Sequence, residues 1–260
     1  MKGKTALITG ASGGIGFDLA ELHASRGGDL VLIARSMDKL GKIKTEFESK
    51  YKVSVYIIGK DLSVMNSSRE IYDELKQMNI TVDYLINNAG FGVYGVFEET
   101  DWEKELQMIN LNITALTYLT KLFLPDMIVK GGGKIMNVAS TAAFQPGPKM
   151  AIYYASKAYV LSFSEAIGNE LKDRSVTVTT LCPGATRTGF QEAADMQESR
   201  LVKGRKLPTS KEVAEYGYNA MMKGKAVAIP GFMNKILAFG VRFFPRSMVV
   251  KIARFAQDQR

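Results

Sequence analysis

The chain has 260 residues, of which 46% are hydrophobic and 23% charged, a composition typical of one globular α/β domain. Its single cysteine excludes an intramolecular disulfide and favours a reducing compartment, and one cysteine with one histidine leaves too few soft ligands for a zinc site. No apolar run approaches the ~20 residues that span a bilayer, and no secretory leader is visible. The sequence therefore predicts a cytoplasmic protein without a metal.

Short apolar runs alternate with amphipathic stretches along most of the chain. Most runs are continuously apolar, as in parallel strands that are covered on both faces. This alternation predicts a doubly wound, Rossmann-like α/β fold, with a parallel seven-stranded sheet and helices on both faces. The predicted strands are Lys4–Thr9, Asp29–Ala34, Val53–Ile58, Asp83–Asn87, Lys134–Ala139, Val176–Leu181 and Ala226–Ile229. The predicted helices are Gly14–Arg26, Met37–Lys50, Ser63–Met78, Asp101–Lys130, Ala151–Lys172 and Ser210–Lys223.

A glycine-rich turn joins the first predicted strand to the first predicted helix. Its glycines include Gly10, Gly14 and Gly16. Glycine lets the backbone turn sharply and approach a phosphate group, and the N-terminus of the following helix adds unpaired N–H groups. The turn is typical of a dinucleotide site, although its spacing is wider than G-x-G-x-x-G and an ordinary tight turn would also explain it.

The end of the second predicted strand indicates which dinucleotide would bind. Arg35 and Ser36 stand there, and no acid does. An acid would accept hydrogen bonds from the ribose 2′-hydroxyl of NAD, whereas a cation and a hydroxyl suit the 2′-phosphate of NADP. The sequence therefore favours NADP over NAD. The alternative is that Arg35 is a solvated loop charge.

Polar side chains also follow the third and fourth predicted strands. In the pair Asp61-Leu62, the carboxylate could accept from an adenine amino group or cap the next helix. The asparagines of Asn87-Asn88-Ala89-Gly90 could tie neighbouring strands together and contact a cofactor, or they could simply form a turn.

A phenol, an ammonium group and a hydroxyl stand in a pattern that suits proton transfer. Tyr153 and Lys157 are four positions apart in a helical stretch, so their side chains share one face. Ser140 directly follows an apolar strand-like run. Such a set can move a proton onto a carbonyl oxygen, and with the glycine turn it indicates hydride transfer. Taken singly, Lys157 would be read as a solvated helix charge and Ser140 as a strand-end cap.

Together these motifs closely resemble the short-chain dehydrogenase/reductase family. The resemblance rests, in chain order, on Thr9-Gly10-x-x-x-Gly14-x-Gly16, Asp61, Asn87-Asn88-Ala89-Gly90, Asn110, Ser140, Tyr153-x-x-x-Lys157 and Pro183-Gly184. It implies an enzyme that transfers hydride between NADP(H) and a carbonyl or secondary alcohol, usually as a homodimer or homotetramer. It also implies that residues 1–230 form one catalytic domain and that residues 231–260 are an extension outside the general pattern.

The resemblance implies a catalytic set of Asn110, Ser140, Tyr153 and Lys157. Tyr153 would exchange the proton, Ser140 would hold the substrate oxygen, and Asn110 would hold a water that links Lys157 to solvent. Lys157 would also bind the nicotinamide ribose. Its ammonium group, with an oxidised nicotinamide, would lower the pKa of Tyr153 from its usual ~10. Read alone, Asn110 could equally be a satisfied core amide.

The implied cofactor contacts extend from the glycine turn to the loop after the sixth strand. In the family this loop meets the nicotinamide carboxamide, with a threonine near the phosphates. Thr188 fits the usual offset better than Thr186. The full predicted set is Gly10, Ser12, Gly13, Gly14, Ile15, Gly16, Arg35, Ser36, Asp61, Leu62, Asn88, Ala89, Gly90, Tyr153, Lys157, Pro183, Gly184, Thr186 and Thr188.

The substrate is less closely defined than the cofactor. Apolar side chains predicted at the mouth of the pocket favour an apolar substrate, although core packing would explain any one of them. Residues 189–206 are predicted to form a lid. Two other functions stay open, namely a 3-oxoacyl thioester reductase and a non-catalytic nucleotide-sensing protein on the same fold. The predicted mouth residues are Phe91, Tyr94, Phe144, Met150 and Phe190.

The basic charge is concentrated at the C-terminus. The net charge is +8, and the segment from Lys223 to the end holds eight Lys or Arg residues against one acid. Two amphipathic runs, Lys235–Phe244 and Ser247–Gln257, are separated by Pro245. They could pack on the domain or across a subunit interface, which the sequence favours, lie peripherally on an anionic membrane, or attract an anionic substrate. No nucleic-acid recognition motif accompanies the charge.

Overall fold

The computed structural model describes residues 1–190, 204 and 207–257 and contains one sheet of seven strands. Every neighbouring pair of strands is parallel, and the order is β3-β2-β1-β4-β5-β6-β7. The predicted doubly wound fold is confirmed, with strand ends displaced by at most two residues. The strands are β1 Thr5–Thr9, β2 Asp29–Ala34, β3 Val55–Gly59, β4 Tyr84–Asn87, β5 Gly133–Val138, β6 Val176–Leu181 and β7 Val227–Ala228.

Helices cover both faces of this sheet. The α-helices are α1 Gly14–Ser25, α2 Met37–Tyr51, α3 Ser67–Gln77, α4 Trp102–Ile109, α5 Leu116–Val129, α6 Ala151–Glu170, α7 Ser210–Met222, α8 Phe232–Gly240 and α9 Arg246–Gln257. Short 3₁₀ turns occupy Thr141–Phe144 and Val241–Phe243. Both amphipathic runs of the tail are helical, as predicted. Most of the predicted lid, residues 191–203 with 205 and 206, lies outside the described residues.

Two apolar layers explain why the strands read as continuous apolar runs. Successive side chains of a strand point to opposite faces, so the neighbours Leu7 and Ile8 enter different layers. Ile8 packs in the layer that contains Phe47 of α2, and Leu7 packs in the layer that contains Phe123 of α5. Both strand residues are fully buried. The strands of a sheet that is covered on both faces therefore show no alternation of polar and apolar residues.

One predicted helix, residues 101–130, is divided by a π-helical turn. Asn110–Ala115 forms this turn between α4 and α5. Such wide turns inside helices occur frequently at functional sites. In this turn Asn112 is buried, and its side-chain amide donates to the carbonyl oxygen of Phe91 at 3.0 Å. The helical periodicity of the sequence does not reveal the wide turn, so the prediction of one regular helix was wrong here.

No helix in the described ranges is both long enough and apolar enough to cross a bilayer. The helices of the tail are instead short, and α8 packs beside the 3₁₀ turn Thr141–Phe144. Its buried residue Ala238 joins a small apolar cluster with Ala139, Leu161 and Ile229. This contact fixes α8 next to the end of β5, where the functional residues collect.

Candidate active site

The carboxyl ends of the central strands open into a cleft of about 750 Å³. The strand order reverses between β1 and β4, and open α/β sheets bind their ligands at such a switch point. Most of the predicted site residues line this cleft. They are Gly10, Ser12, Gly13, Gly14, Ile15, Arg35, Asn88, Ala89, Gly90, Ser140, Tyr153, Lys157, Pro183, Gly184, Thr186 and Thr188.

The glycine turn brings the N-terminus of α1 against the end of β1. Gly10 and Gly14 have φ angles of +67° and +55°, a region that favours glycine. A Cβ at Gly16 would lie 2.3 Å from the carbonyl oxygen of Gly10, so only glycine allows this approach. Gly16 itself does not line the cleft. Gly13, Gly14 and Ile15 at the start of α1 line the cleft, and the first N–H groups of a helix have no partner within it, which fits a phosphate group.

Two asparagines tie β4 to its neighbours, as the sequence predicted. Asn87 is buried and donates at 2.9 Å to the side chain of Asn137 on β5. Asn88 donates at 2.9 Å to the carbonyl oxygen of Thr9 on β1. The Thr9 hydroxyl accepts in return from the backbone N–H groups of Asn88 and Ala89. These bonds hold both walls of the cleft at the switch point.

The phenol, ammonium and hydroxyl groups meet at one end of the cleft. Tyr153 and Lys157 are both buried on α6, and Lys157 Nζ lies 5.7 Å from the centre of the Tyr153 ring. Lys157 donates to the carbonyl oxygen of Val138 at 2.9 Å, which fixes its side chain. Ser140 hydrogen-bonds to the Tyr153 hydroxyl, and its Oγ lies 3.3 Å from the carbonyl oxygen of Pro183. The structure thus brings the three side chains together.

Burial controls the acidity of this cluster. It raises the pKa of the Tyr153 phenol well above its usual value, and the hydrogen bond from Ser140 only partly opposes this. Burial also lowers the pKa of Lys157 to about 8. Desolvation disfavours both charged forms here. The predicted lowering of the Tyr153 pKa concerns the site with an oxidised nicotinamide bound, and it stays a prediction. The phenol stays protonated near neutral pH, which is the form that can donate a proton.

Asn112, rather than the predicted Asn110, reaches the neighbourhood of Lys157. The side-chain amide of Asn112 donates to the Phe91 carbonyl oxygen at 3.0 Å and to Ser156 Oγ at 3.1 Å, and Ser156 directly precedes Lys157. Its Oδ1 accepts from the Phe91 N–H at 3.3 Å. Asn110 is half-buried at the start of the π-helical turn and is not among the residues of the cleft wall.

A signal in the sequence could have separated the two asparagines. Met108, Asn112, Ala115 and Leu119 recur at helical spacing, and all four are buried. Asn110 falls outside this spacing. The burial of this helix face thus points to Asn112, whereas the residue type alone does not distinguish it from Asn110.

Cations mark the end of the cleft beside β2 and α2. Arg35 lines the wall with a side chain that is 80% exposed, and its guanidinium lies 4.0 Å from Asp61. Ser36 follows immediately as the residue before α2. Lys39, in the first turn of α2, also lines the wall, and the sequence analysis missed it. Two exposed cations at this position suit a phosphate group attached to the ribose.

Asp61 and Leu62 do not line the cleft. Asp61 Oδ1 accepts from both the backbone N–H and the hydroxyl of Ser63, at 2.9 and 2.7 Å. The Asp61 carbonyl oxygen accepts from Ser67 at 2.7 Å. Asp61 therefore stabilises the turn before α3, which delays the helix by four residues relative to its predicted start at Ser63. Leu62 is buried in the apolar layer beneath.

The loop after β6 closes the cleft opposite the glycine turn. Thr186 is buried, and its hydroxyl donates to the carbonyl oxygen of Gly184 at 2.9 Å. The Thr188 methyl group lies 3.3 Å from the position that a Cβ would take at Gly14. Thr188 Oγ1 accepts from the backbone N–H of Phe190. Of the two candidate threonines, Thr188 is thus the one that packs against the glycine turn.

The end of the cleft beside Tyr153, which we call the substrate end, is mostly apolar. Phe91, Met150 and Phe190 line it as predicted, and the Phe190 ring centre lies 5.3 Å from that of Tyr153. Phe144 instead packs in the cluster around Ala139 and is not among the lining residues. Tyr94 packs beside the end, and its hydroxyl donates to the Gln257 carbonyl oxygen of α9 at 2.9 Å. Helix α8 contributes lining residues that the sequence analysis missed, namely Met233, Asn234, Leu237 and Ala238.

Known proteins share both this sequence pattern and this architecture. The short chain dehydrogenase family profile matches residues 4–199. A very-long-chain 3-oxoacyl-CoA reductase of Bos taurus is 34% identical over 187 residues, which cover 70% of this chain and 59% of that protein. This chain thus spans less than two thirds of that relative.

Solved structures of other proteins share this fold. A short-chain dehydrogenase of Sphingobium yanoikuyae in complex with NADPH has a TM-score of 0.82 and 30% identity, with 92% of each chain covered. A short chain dehydrogenase/reductase of Burkholderia phymatum in complex with NAD also has a TM-score of 0.82, with 26% identity over 100% of this chain and 98% of that one. On its sequence, its fold and the arrangement of its cleft, this chain belongs to the short-chain dehydrogenase/reductase family of oxidoreductases.

Proposed function

We propose that this protein is an NADP-dependent oxidoreductase that interconverts a carbonyl compound and a secondary alcohol. The cluster of Ser140 with the buried residues Tyr153 and Lys157 carries this proposal, because it lies in the cleft that begins at the glycine turn. The apolar end formed by Phe91, Met150 and Phe190 favours an apolar substrate. The NADPH complex of the Sphingobium relative supports a nicotinamide cofactor in this cleft.

The residues of the cluster have distinct roles in the reductive direction. Ser140 holds the carbonyl oxygen by a hydrogen bond, and Tyr153 donates its phenolic proton to that oxygen. The reduced nicotinamide, when bound, supplies the hydride that reaches the carbonyl carbon. The ammonium group of Lys157 then stabilises the phenolate form of Tyr153, because the two groups are close together and their buried surroundings have a low dielectric constant. The raised pKa of Tyr153 keeps the proton available until transfer.

We assign the relay position that the family resemblance gave to Asn110 to Asn112 instead. Its amide spans Phe91 and Ser156, so it positions the segment that carries Lys157. We expect Asn112→Ala to lower kcat about 10²-fold, the order of loss that follows small displacements of catalytic groups. Asn110→Ala is the matched control and should change kcat less than about threefold. The measurement is steady-state reduction at a temperature where circular dichroism shows both variants folded; equal losses would contradict the assignment.

Arg35 is proposed to select NADP by binding its 2′-phosphate, with Lys39 beside it. Charge-assisted hydrogen bonds contribute about 1.5–3 kcal/mol, so Arg35→Ala should weaken NADPH binding about 10- to 100-fold and leave NADH binding unchanged. Fluorescence titrations with NADPH and with NADH measure the two affinities. Arg69→Ala, on the surface of α3, is the control. Equal affinities of the unmodified protein for NADPH and NADH would refute the selection.

A 3-oxoacyl thioester is the second candidate substrate. The apolar end of the cleft would take an acyl chain, and the Bos taurus relative is named as a very-long-chain 3-oxoacyl-CoA reductase. NADPH oxidation against ketones, aldehydes and 3-oxoacyl thioesters tests both candidates. Turnover restricted to the thioesters would favour the second. Tight NADPH binding without turnover of any class would instead support the non-catalytic nucleotide-sensing alternative.

A further inference from the structure

The last two helices present an unusually apolar outer surface. Seven large apolar side chains of α8, the following 3₁₀ turn and α9 are between 52% and 86% exposed. We call this area the C-terminal surface. Scattered single apolar residues are normal on protein surfaces, whereas several large ones on two successive helices favour an interaction site. The seven are Phe232, Met233, Leu237, Phe239, Phe243, Ile252 and Phe255.

The domain itself covers little of these two helices. Their buried residues are Ala238 on α8 and Val249, Ala253 and Gln257 on α9. These small faces attach the helices to the domain. The larger apolar side chains stay exposed beside the described residues, so packing on the described part of the domain does not account for them. Attraction of an anionic substrate would use the cations but not the exposed apolar side chains. The alternatives that use the apolar side chains are a second copy of the chain and a lipid surface.

The charge of the two helices distinguishes a lipid surface from a second copy of the chain as the partner of this surface. The five ionisable residues between positions 232 and 257 are all cations, and all five are exposed. A second copy seated by two-fold symmetry would bring the same cations against one another. An anionic lipid surface instead pairs with the cations while its acyl region receives the aromatic and aliphatic side chains. The five cations are Lys235, Arg242, Arg246, Lys251 and Arg254.

The apolar surface also continues into the cleft. Met233 and Leu237 are exposed and at the same time line the substrate end. The Tyr94–Gln257 hydrogen bond holds the end of α9 beside the same region. We propose that the C-terminal surface binds an anionic membrane surface, with the rim of the cleft next to the lipid. This proposal does not depend on the reaction that the cleft catalyses.

Vesicle co-sedimentation of the full chain tests the proposal. We expect the protein to pellet with vesicles of phosphatidylcholine and phosphatidylglycerol, and to pellet at least about 10-fold less with phosphatidylcholine alone or at high salt. Phe243→Ser with Ile252→Ser should weaken binding about 10-fold, as should Lys251→Glu with Arg254→Glu. Neither pair lines the cleft. Lys172→Glu with Arg174→Glu makes the same charge change beside β6 and should keep most of the binding.

Three results would overturn the proposal. The first is no pelleting above the vesicle-free control, and the second is an equal loss of binding in the Lys172/Arg174 variant. The third is a dimer, seen by sedimentation velocity, that dissociates in the Phe243/Ile252 variant, because that result would assign the surface to a second copy. None of these measurements uses turnover. Failure of the membrane proposal is therefore distinguishable from failure of the proposed reaction.

Discussion

Replacing Tyr153 by Phe is expected to lower the rate of carbonyl reduction about 10³-fold, because a positioned general acid contributes about 10²- to 10⁴-fold. The substitution removes only the hydroxyl that contacts Ser140 and keeps the ring that packs beside Phe190. NADPH binding and thermal stability should therefore stay close to those of the unmodified protein. Single-turnover NADPH oxidation measures the loss of rate. Cofactor fluorescence measures NADPH binding, and circular dichroism measures thermal stability.

Tyr154→Phe is the matched control for this experiment. Tyr154 is the next residue on α6, is buried as well, and also has a pKa raised by burial. Burial and a high pKa alone therefore do not distinguish the two tyrosines. Only Tyr153 combines contact with Ser140 and a lysine one helical turn later. Turnover should fall less than about threefold in the Tyr154 variant, and a Tyr153→Phe variant with unmodified turnover would remove Tyr153 as the acid.

Gly16→Ala is expected to destabilise the protein by about 3 kcal/mol, the upper range for overpacking. The added methyl group would lie 2.3 Å from the Gly10 carbonyl oxygen and 2.5 Å from Asn88 Nδ2, so α1 must move away from β1. That movement would also disrupt the phosphate cradle and weaken NADPH binding. Urea unfolding with and without NADPH measures both effects.

Gly41→Ala provides the control for the glycine experiment. Gly41 lies inside α2, and a Cβ there would meet no atom within 4 Å. Alanine is favoured over glycine in a helix interior by about 1 kcal/mol, so this variant should become slightly more stable. Destabilisation of both variants to the same extent would show that the Gly16 effect does not arise from the close approach of α1 and β1.

The fold could be predicted from the sequence because strands that are buried on both faces have continuously apolar sequences. Leu7 and Ile8 enter opposite apolar layers, and such pairs make each strand a continuous apolar run. The glycine turn, the pair Tyr153 and Lys157, and Ser140 could be found for a similar reason. Their spacing alone places them at the carboxyl edge of the sheet or on one helix face.

Other features depend on contacts that spacing does not reveal. The residue type does not distinguish Asn110 from Asn112, whereas the burial and hydrogen bonds of Asn112 in the π-helical turn do. The low acidity of Tyr153 follows from the depth of its burial. The lining role of α8 follows from how the tail folds back over the cleft, where Met233 and Leu237 reach the substrate end. Each of these is set by tertiary packing.

A crystal structure with NADP⁺ and a bound alcohol or unreactive ketone tests the central claim most directly. The account predicts that the Tyr153 and Ser140 hydroxyls both lie about 3 Å from the substrate oxygen, the distance of a hydrogen bond. It also predicts the nicotinamide ring beside them and the phosphates at the glycine turn. A substrate oxygen held by other groups, with the Tyr153 hydroxyl directed away from it, would contradict the account.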